Sequence, residues 1–228
     1  MGNPKKGRKT AQKQSVGKKS TLKAKDAPIE TPVQADLQVD REAVLTWLES
    51  NVPKARIQHI LRVETYAAEL ASLHGLDPAQ AAQAGLLHDL AKYFAPLRLL
   101  EMAQAEQLPI DAVLMAEPRL LHADVSAIVA RDEFQVENPE ILDAVRNHTL
   151  GQPHMHPMSC IVFLADSLEP GRGDRDDLNQ IRKVSTSNLY RGVWMVCDRT
   201  LNQLVQNRKL IHPRMVMTRN WAMETAKT

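Results

Sequence analysis

The spacing of apolar residues constrains the fold more than any other feature, because it is helical from residue 41 almost to the end of the chain. No stretch alternates apolar and polar residues as a half-buried strand would. Alanine, leucine and methionine are common, whereas aromatic residues make up 4% of the chain, and this composition favours helices over strands. The sequence therefore predicts an all-α fold.

Capping residues and prolines indicate where individual helices begin and end. Asp77-Pro78-Ala79-Gln80 has an acidic N-cap, a proline in the first turn and a glutamine three residues on. The helix that begins there is expected to run to about Tyr93, and Gly75 ends the one before it. The predicted helices cover residues 41–50, 53–74, 77–93, 96–107, 120–133, 138–148, 157–168, 176–207 (as one helix or two) and 213–226.

Length and composition are those of an ordinary globular protein. The chain has 228 residues, of which 43% are apolar and 25% charged, enough to bury a sizeable core. It contains no run of 18 apolar residues, so no membrane span is predicted. Cys160 and Cys197 both lie in apolar helical patterns, and we expect two reduced core thiols in a cytoplasmic protein.

The first 36 residues differ from the rest in charge and composition. Residues 1–25 hold nine Lys or Arg and no acid, which leaves 20 basic against 27 acidic residues, a net charge of −7, for the remainder. Residues 1–36 have too few large apolar residues to order themselves. We therefore predict a disordered basic arm ahead of a domain at 37–228. The arm either solubilises the chain or makes a weak contact with nucleic acid or the ribosome.

A histidine and an aspartate, His88 and Asp89, stand side by side at the end of an apolar run. A buried charge is costly unless it is paired or binds a metal, and imidazole and carboxylate are common ligands of Zn, Mn and Fe. Four other segments also place a ligand-type residue in or beside an apolar face or run: His59, His122, His148 and Asp166. Each alone is more often a hydrogen-bonded core or surface residue. Together they supply the imidazoles and the bridging carboxylate that two neighbouring metals require.

The order His59…His88-Asp89…His122…His148…Asp166 resembles the HD-domain phosphohydrolases, in the variant with two extra histidines that holds two metals. The resemblance is closer still to one branch, the YqeK-type symmetrical bis(5′-nucleosyl)-tetraphosphatases. The matching segments, which spread over residues 40–222, are AGLLHDLAK, LLHADVSAIVARDEF, EILDAVRNHTLG, FLADSLEPGR and IHPRMVMTRNW. Ser167, where the family usually carries a larger residue, and the basic arm depart from the family pattern, and neither removes a ligand.

The resemblance implies an all-helical HD-domain bundle with two divalent metals, often iron. It also implies hydrolysis of a dinucleoside polyphosphate, diadenosine tetraphosphate, into two ADP. By the matching positions, one metal is held by His59, His88, Asp89 and Asp166, and the second by His122 and His148, with Asp89 bridging. Histidine and aspartate suit Fe, Mn, Zn and Co alike. The residues therefore leave the metal open, as they do the base preference and the oligomeric state, a dimer included.

Cationic side chains are expected near the metals because they offset the charge of phosphates. Lys92 is predicted to lie one helical turn after His88, on the same face, and Arg172 is the second candidate. Solvent exposure is the alternative for both. Glu169 either supports the metal site from outside or is a surface charge. The remaining histidines lie in loops or at helix ends and are interpreted as non-ligands: His74, His154, His156 and His212.

Two other functions stay open on the sequence alone. One is hydrolysis of another nucleotide or phosphodiester at the same metal site. The other is that of a ribosome- or RNA-associated factor that binds through the basic arm. Such a factor would lack phosphatase activity, and its salt-dependent affinity for RNA would be lost on deletion of residues 1–36.

Overall fold

The computed structural model of the chain describes residues 1–2 and 39–227. Every regular element in these residues is helical, which confirms the predicted all-α class. The α-helices are α1 (Arg41–Asn51), α2 (Lys54–Leu73), α3 (Pro78–Leu87), α4 (Pro96–Ala105), α5 (Ala112–Ala116), α6 (His122–Phe134), α7 (Pro139–Asn147), α8 (Pro157–Leu168), α9 (Asp176–Ser185), α10 (Leu189–Gln206) and α11 (Pro213–Thr225). Apart from Met1 and Gly2, the predicted arm (residues 1–36) lies outside the described residues.

Helix starts follow the capping residues in the sequence. The side chains of Asp40, Asp77, Asp111 and Asn138 accept hydrogen bonds from first-turn N–H groups of α1, α3, α5 and α7. Those N–H groups have no partner within a helix, so each cap stabilises the start it serves. The predicted starts therefore agree with the structure to within a few residues.

The structure decides between the two alternatives for residues 176–207 and shortens the helix predicted at 77–93. The segment at 176–207 is two helices, because Asn188 leaves the helical conformation and its side chain caps α10 by accepting from the Arg191 N–H at 2.9 Å. The predicted helix at 77–93 ends at Leu87, and residues 88–94 form turns. The short helix α5 was not predicted.

The core lies around α8, whose residues from Met158 to Ala165 are all buried. Helix α8 packs against α2, α3, α7, α9 and α10, and α2 packs closely against α3. A helix buried on all sides is apolar all round, and in α8 the first acidic residue is Asp166, near its C-terminal end. The packing of α8 against α2 and α3 thus brings Asp166 close to the helices that carry or precede His59 and His88.

The two cysteines are core residues, as predicted. Cys160 on α8 and Cys197 on α10 are buried and free. Burial raises the pKa of both thiols, that of Cys197 to about 12, so both stay protonated and unreactive at neutral pH. No helix within residues 39–227 is both long enough and apolar enough to cross a lipid bilayer.

Gly85 allows α3 to approach α2 closely. A Cβ added at Gly85 would lie 3.0 Å from Cα of Glu64 and 3.1 Å from the carbonyl oxygen of Val63. Both are backbone atoms, which cannot rotate away as a side chain would. The close approach brings His59 on α2 and His88 at the end of α3 to the same place.

Gly85→Ala is therefore expected to destabilise the protein. In an open helix the change would stabilise by about 0.5–1 kcal/mol. Here the forced separation of two packed helices costs about 1–3 kcal/mol. The free energy of unfolding in urea should fall, while the partly exposed control Gln83→Ala should stay within about 0.5 kcal/mol of the parent. A Gly85→Ala protein more stable than the parent would show that α2 and α3 are not in tight contact.

Candidate metal centre

His88 and Asp89 follow the last residue of α3 and are both fully buried. The Nδ1 of His88 donates to the carbonyl oxygen of Gly85 at 2.6 Å, the group that the Asp89 N–H would bind in a continuing helix. The chain goes on in tight turns, with the Lys92 N–H donating to the Asp89 carbonyl at 3.1 Å. The prediction that Lys92 lies one helical turn after His88 was wrong for this reason.

Each of the four predicted ligand histidines has its Nδ1 bound by an acceptor. His88, His122 and His148 donate to the carbonyl oxygen three residues earlier, at 2.6, 2.7 and 2.7 Å. His59 donates to a carboxylate oxygen of Glu169 at 2.9 Å. Because carbonyl and carboxylate oxygens only accept, Nδ1 carries a proton, and in the neutral imidazole Nε2 is then the nitrogen that can bind a metal. Orientation of a metal-binding imidazole by its second nitrogen is typical of protein metal sites.

The Asp89 carboxylate lies between two pairs of histidines. Its Oδ1 is 3.4 Å from Nε2 of His122 and 3.7 Å from Nε2 of His148. Its Oδ2 is 3.2 Å from Nε2 of His88 and 4.0 Å from Nε2 of His59. Two groups of three residues result, with Asp89 in both, and the ligand atoms within each group lie within 4.8 Å of one another. Each group could hold a metal ion.

Asp166 lies at the His59 end of this centre. Its Oδ1 is 3.0 Å from Nε2 of His59 and 3.8 Å from Nε2 of His88. Arg172 donates to the same oxygen at 2.6 Å and to the Asp166 carbonyl at 2.8 Å. Asp166 thus lies where a metal ligand would lie, and it also forms an ion pair with Arg172.

Several buried atoms of the centre lack a hydrogen bond of good geometry within the described residues. They are Nε2 of His59, Nε2 of His88 and both carboxylate oxygens of Asp89. Arg56 does contact Asp89 Oδ2, but that contact does not satisfy the carboxylate. A buried polar atom left without a partner costs about 1–3 kcal/mol. Converging imidazole nitrogens and an unsatisfied carboxylate are the donor set that divalent metals bind, so these residues fit a metal pair.

The charges of the centre are also suited to metals. Burial would raise the pKa of Asp89, but His88 and His122 hold it well below its usual range. Burial, together with the neighbouring His88 and His122, lowers the pKa of His148 well below its usual range. The pKa of Asp166 is lowered in the same way as that of Asp89, against burial, by His59, His88 and Arg172. Anionic carboxylates and a neutral imidazole are the forms that bind metal.

Three cationic side chains among the described residues contact the centre. Arg56 contacts Asp89, Arg172 binds Asp166, and Nζ of Lys92 lies 3.0 Å from Nε2 of His122. The sequence had identified Lys92 and Arg172 but missed Arg56. Arg56 could have been identified from its spacing, because Arg56 and His59 are three residues apart on α2 and share a face.

The structure also places the residues whose role the sequence left open or excluded. Glu169 is buried, 1% exposed, and binds Arg62 in addition to His59, so it is not a surface charge. The four histidines interpreted as non-ligands lie outside both three-residue groups. His74 bonds to the Ser185 carbonyl, His154 contacts the Trp221 ring, and His156 and His212 cap α8 and α11.

A cleft of about 540 Å³ opens beside His122; we call it the first cleft. Its lining includes Arg56 and Lys92, which lie next to the metal centre, and the aromatic residues Tyr93 and Phe94. A volume of this size fits a nucleotide-sized ligand. The first cleft therefore offers cations and aromatic surface next to the candidate metals.

Glu169→Ala is expected to weaken the binding of Mn²⁺ to metal-depleted protein by about 10- to 100-fold, because His59 loses the acceptor that orients it. Glu169→Gln should recover part of the affinity, since an amide oxygen still accepts a hydrogen bond. Glu64→Ala, which removes a carboxylate paired with Arg41 elsewhere, is the control. Titration calorimetry measures all three. Unchanged affinity in Glu169→Ala would mean that His59 needs no such support or binds no metal.

Two bacterial proteins that carry the same name are similar in sequence to most of this chain. A protein of Bacillus subtilis named bis(5′-nucleosyl)-tetraphosphatase, symmetrical, is 29% identical over 183 residues, which are 80% of this chain and 97% of the relative. A protein of the same name from Halalkalibacterium halodurans is 29% identical over 80% of this chain and 96% of its own length. The similarity therefore covers the relatives almost end to end.

A solved structure and a family profile agree on the fold. A crystal structure from Clostridium acetobutylicum, described as that of a predicted HD superfamily hydrolase involved in NAD metabolism, superposes with a TM-score of 0.77 at 26% identity. The match covers 81% of this chain and 97% of that one. The profile of the HD domain family matches residues 56–171, from Arg56 through His59, the His88-Asp89 pair and the other predicted ligands to just past Asp166. The chain belongs to the HD domain family.

Proposed function

We propose that this protein is a metal-dependent hydrolase that cleaves diadenosine tetraphosphate symmetrically, so that one tetraphosphate and one water give two ADP. The observation that carries the proposal is the pair of three-residue groups that share Asp89. The names of the relatives that match over most of the chain support the choice of substrate. The first cleft, with its cations and aromatic rings, supports a nucleotide ligand.

In this proposal one metal is held by His59, His88, Asp89 and Asp166, and the other by Asp89, His122 and His148. Iron is our expectation for both, although the same donors accept Mn, Co or Zn. A bound pair of divalent ions supplies a water that is deprotonated near neutral pH. The side chains of this protein would fix the positions of the ions. Asp89 sets the spacing of the two groups of ligands, and the hydrogen bonds made by Nδ1 hold the imidazoles in place.

The cations of the centre would act on the phosphates. Lys92 and Arg56 line the first cleft and lie next to His122 and Asp89. Positive charge fixed at these points offsets the negative charge that builds up as the phosphate is attacked. Arg172, which forms an ion pair with Asp166, would do the same at that end. ADP is a tolerable leaving group, so no strong general acid is required.

The decisive test is an assay of protein purified without chelator and analysed for metal. We expect two divalent ions per chain and conversion of diadenosine tetraphosphate to ADP as the sole nucleotide product. Chelation should abolish turnover, and added Fe²⁺ or Mn²⁺ should restore it. The panel includes NAD and other phosphodiesters, because the related crystal structure is associated with NAD metabolism. Formation of AMP with ATP, or preference for another substrate in the panel, would refute the symmetrical tetraphosphatase.

Lys92→Ala should lower kcat/KM for diadenosine tetraphosphate by about 10- to 100-fold, about 1.4–2.7 kcal/mol of transition-state stabilisation. The metal content should not change, because an ammonium group cannot be a ligand. The exposed Lys183 on α9 provides the control Lys183→Ala, which should behave as the parent. If metal occupancy of Lys92→Ala falls in proportion to its activity, Lys92 supports the fold of the centre rather than the phosphate.

A further inference from the structure

A second cleft, of about 290 Å³, opens at the other end of the metal centre. The first cleft is lined by His122, which faces Oδ1 of Asp89, whereas the second is lined by Asp166, which lies with His59 and His88 on the Oδ2 side. The two clefts therefore border different residues of the centre: Arg56 and His122 line the first, and Asp166 and Arg172 line the second.

The lining of the second cleft is suited to anions. Arg172 and Arg199 contribute guanidinium groups, and Ser167 and Thr200 contribute hydroxyls. Within the described residues, Arg199 forms one hydrogen bond, from Nε to Asp177 at 3.0 Å. Its Nη groups therefore keep their donors, and guanidinium forks of this kind match phosphate oxygens. Among the lining residues that the structure describes, Asp166 alone is acidic, and it is already bound by Arg172.

The geometry of symmetrical cleavage requires binding space on both sides of the metals. Diadenosine tetraphosphate has two identical halves, and a centre that cuts between them must leave one ADP half on each side. The first cleft has the larger volume and the aromatic rings of Tyr93 and Phe94, which suit a base. The second is smaller and has no aromatic residue among its described lining residues, so it suits phosphate and ribose.

We propose that the second cleft, with Arg199 as its main anion-binding residue, holds the other ADP half of the substrate. The proposal rests on the proposed function for the identity of the ligand. It assigns Arg199 and Thr200, which lie outside the HD-domain match at residues 56–171, to substrate binding. Helix α10, which carries both residues, would then determine how the second nucleotide is bound.

Arg199→Gln tests the proposal, with Arg175→Gln as the matched control. Arg175 and Arg199 both bind the carboxylate of Asp177, but only Arg199 lines the second cleft. Arg199→Gln should raise KM for diadenosine tetraphosphate by about tenfold, the effect of losing one charge-assisted hydrogen bond, with kcat little changed. Thr200→Val, a second change in the same cleft, should raise KM in the same direction by less. Arg175→Gln should leave both constants as in the parent.

Binding of ADP to the Mn²⁺-loaded protein gives a second measurement that does not depend on turnover. We expect two ADP per chain in the parent and in Arg175→Gln, and one in Arg199→Gln over the same concentration range. If Arg199→Gln has the KM of the parent and still binds two ADP, the assignment of the second cleft is wrong. The proposed function would still stand in that case, provided that the parent hydrolyses the tetraphosphate to two ADP. A parent that fails to hydrolyse the tetraphosphate refutes the proposed function instead, and the number of ADP bound per chain still decides whether the cleft binds nucleotide.

Discussion

Asp89 is a fully buried carboxylate among four imidazoles, and the arrangement of the site depends on it. A buried anion costs free energy unless opposite charges or metals compensate it. The protein places Arg56 against Asp89 and brings the imidazoles of four different segments to its two oxygens. Since each oxygen faces a different pair of histidines, one carboxylate divides the centre into two groups.

The site is built where helices end, and the reason is backbone hydrogen bonding. The last carbonyl groups of a helix have no partner within it. His88 follows α3, His148 follows α7, and each donates its Nδ1 proton to the carbonyl three residues earlier. His122 does the same after a 3-10 turn at Pro118–Leu121. One local arrangement therefore satisfies a helix end and orients a ligand. His59, in the middle of α2, has no free carbonyl nearby and depends on Glu169 instead.

Local sequence signals predicted most helices and the identity of the clustered residues. Caps such as Asp77 and Asn138 act on the first turn that follows them, so they can be recognised without the fold. The end of α3 could not be recognised from the sequence. The helical spacing of apolar residues continues past Leu87, whereas the backbone leaves the helix there and turns at His88 and Asp89. Glu169 remained undecided for a related reason: its partner His59 lies 110 residues away, and no local pattern reveals such a contact. Arg56 was missed although it shares a helix face with His59.

The two ends of the centre differ in charge, and the difference bears on what each end can do. Asp166 lies at the His59 end, where Glu169 binds His59 from behind and Arg172 and Arg56 contact the carboxylates. The His122 end carries the ammonium of Lys92. A cation is held more firmly where more carboxylates face it, and a carboxylate behind an imidazole raises the basicity of that ligand. Guanidinium groups already offset the carboxylates at the His59 end, so a metal bound there would have to compete with Arg56 and Arg172 for them. At the His122 end, which borders the first cleft, the ammonium of Lys92 lies where it would attract an incoming phosphate.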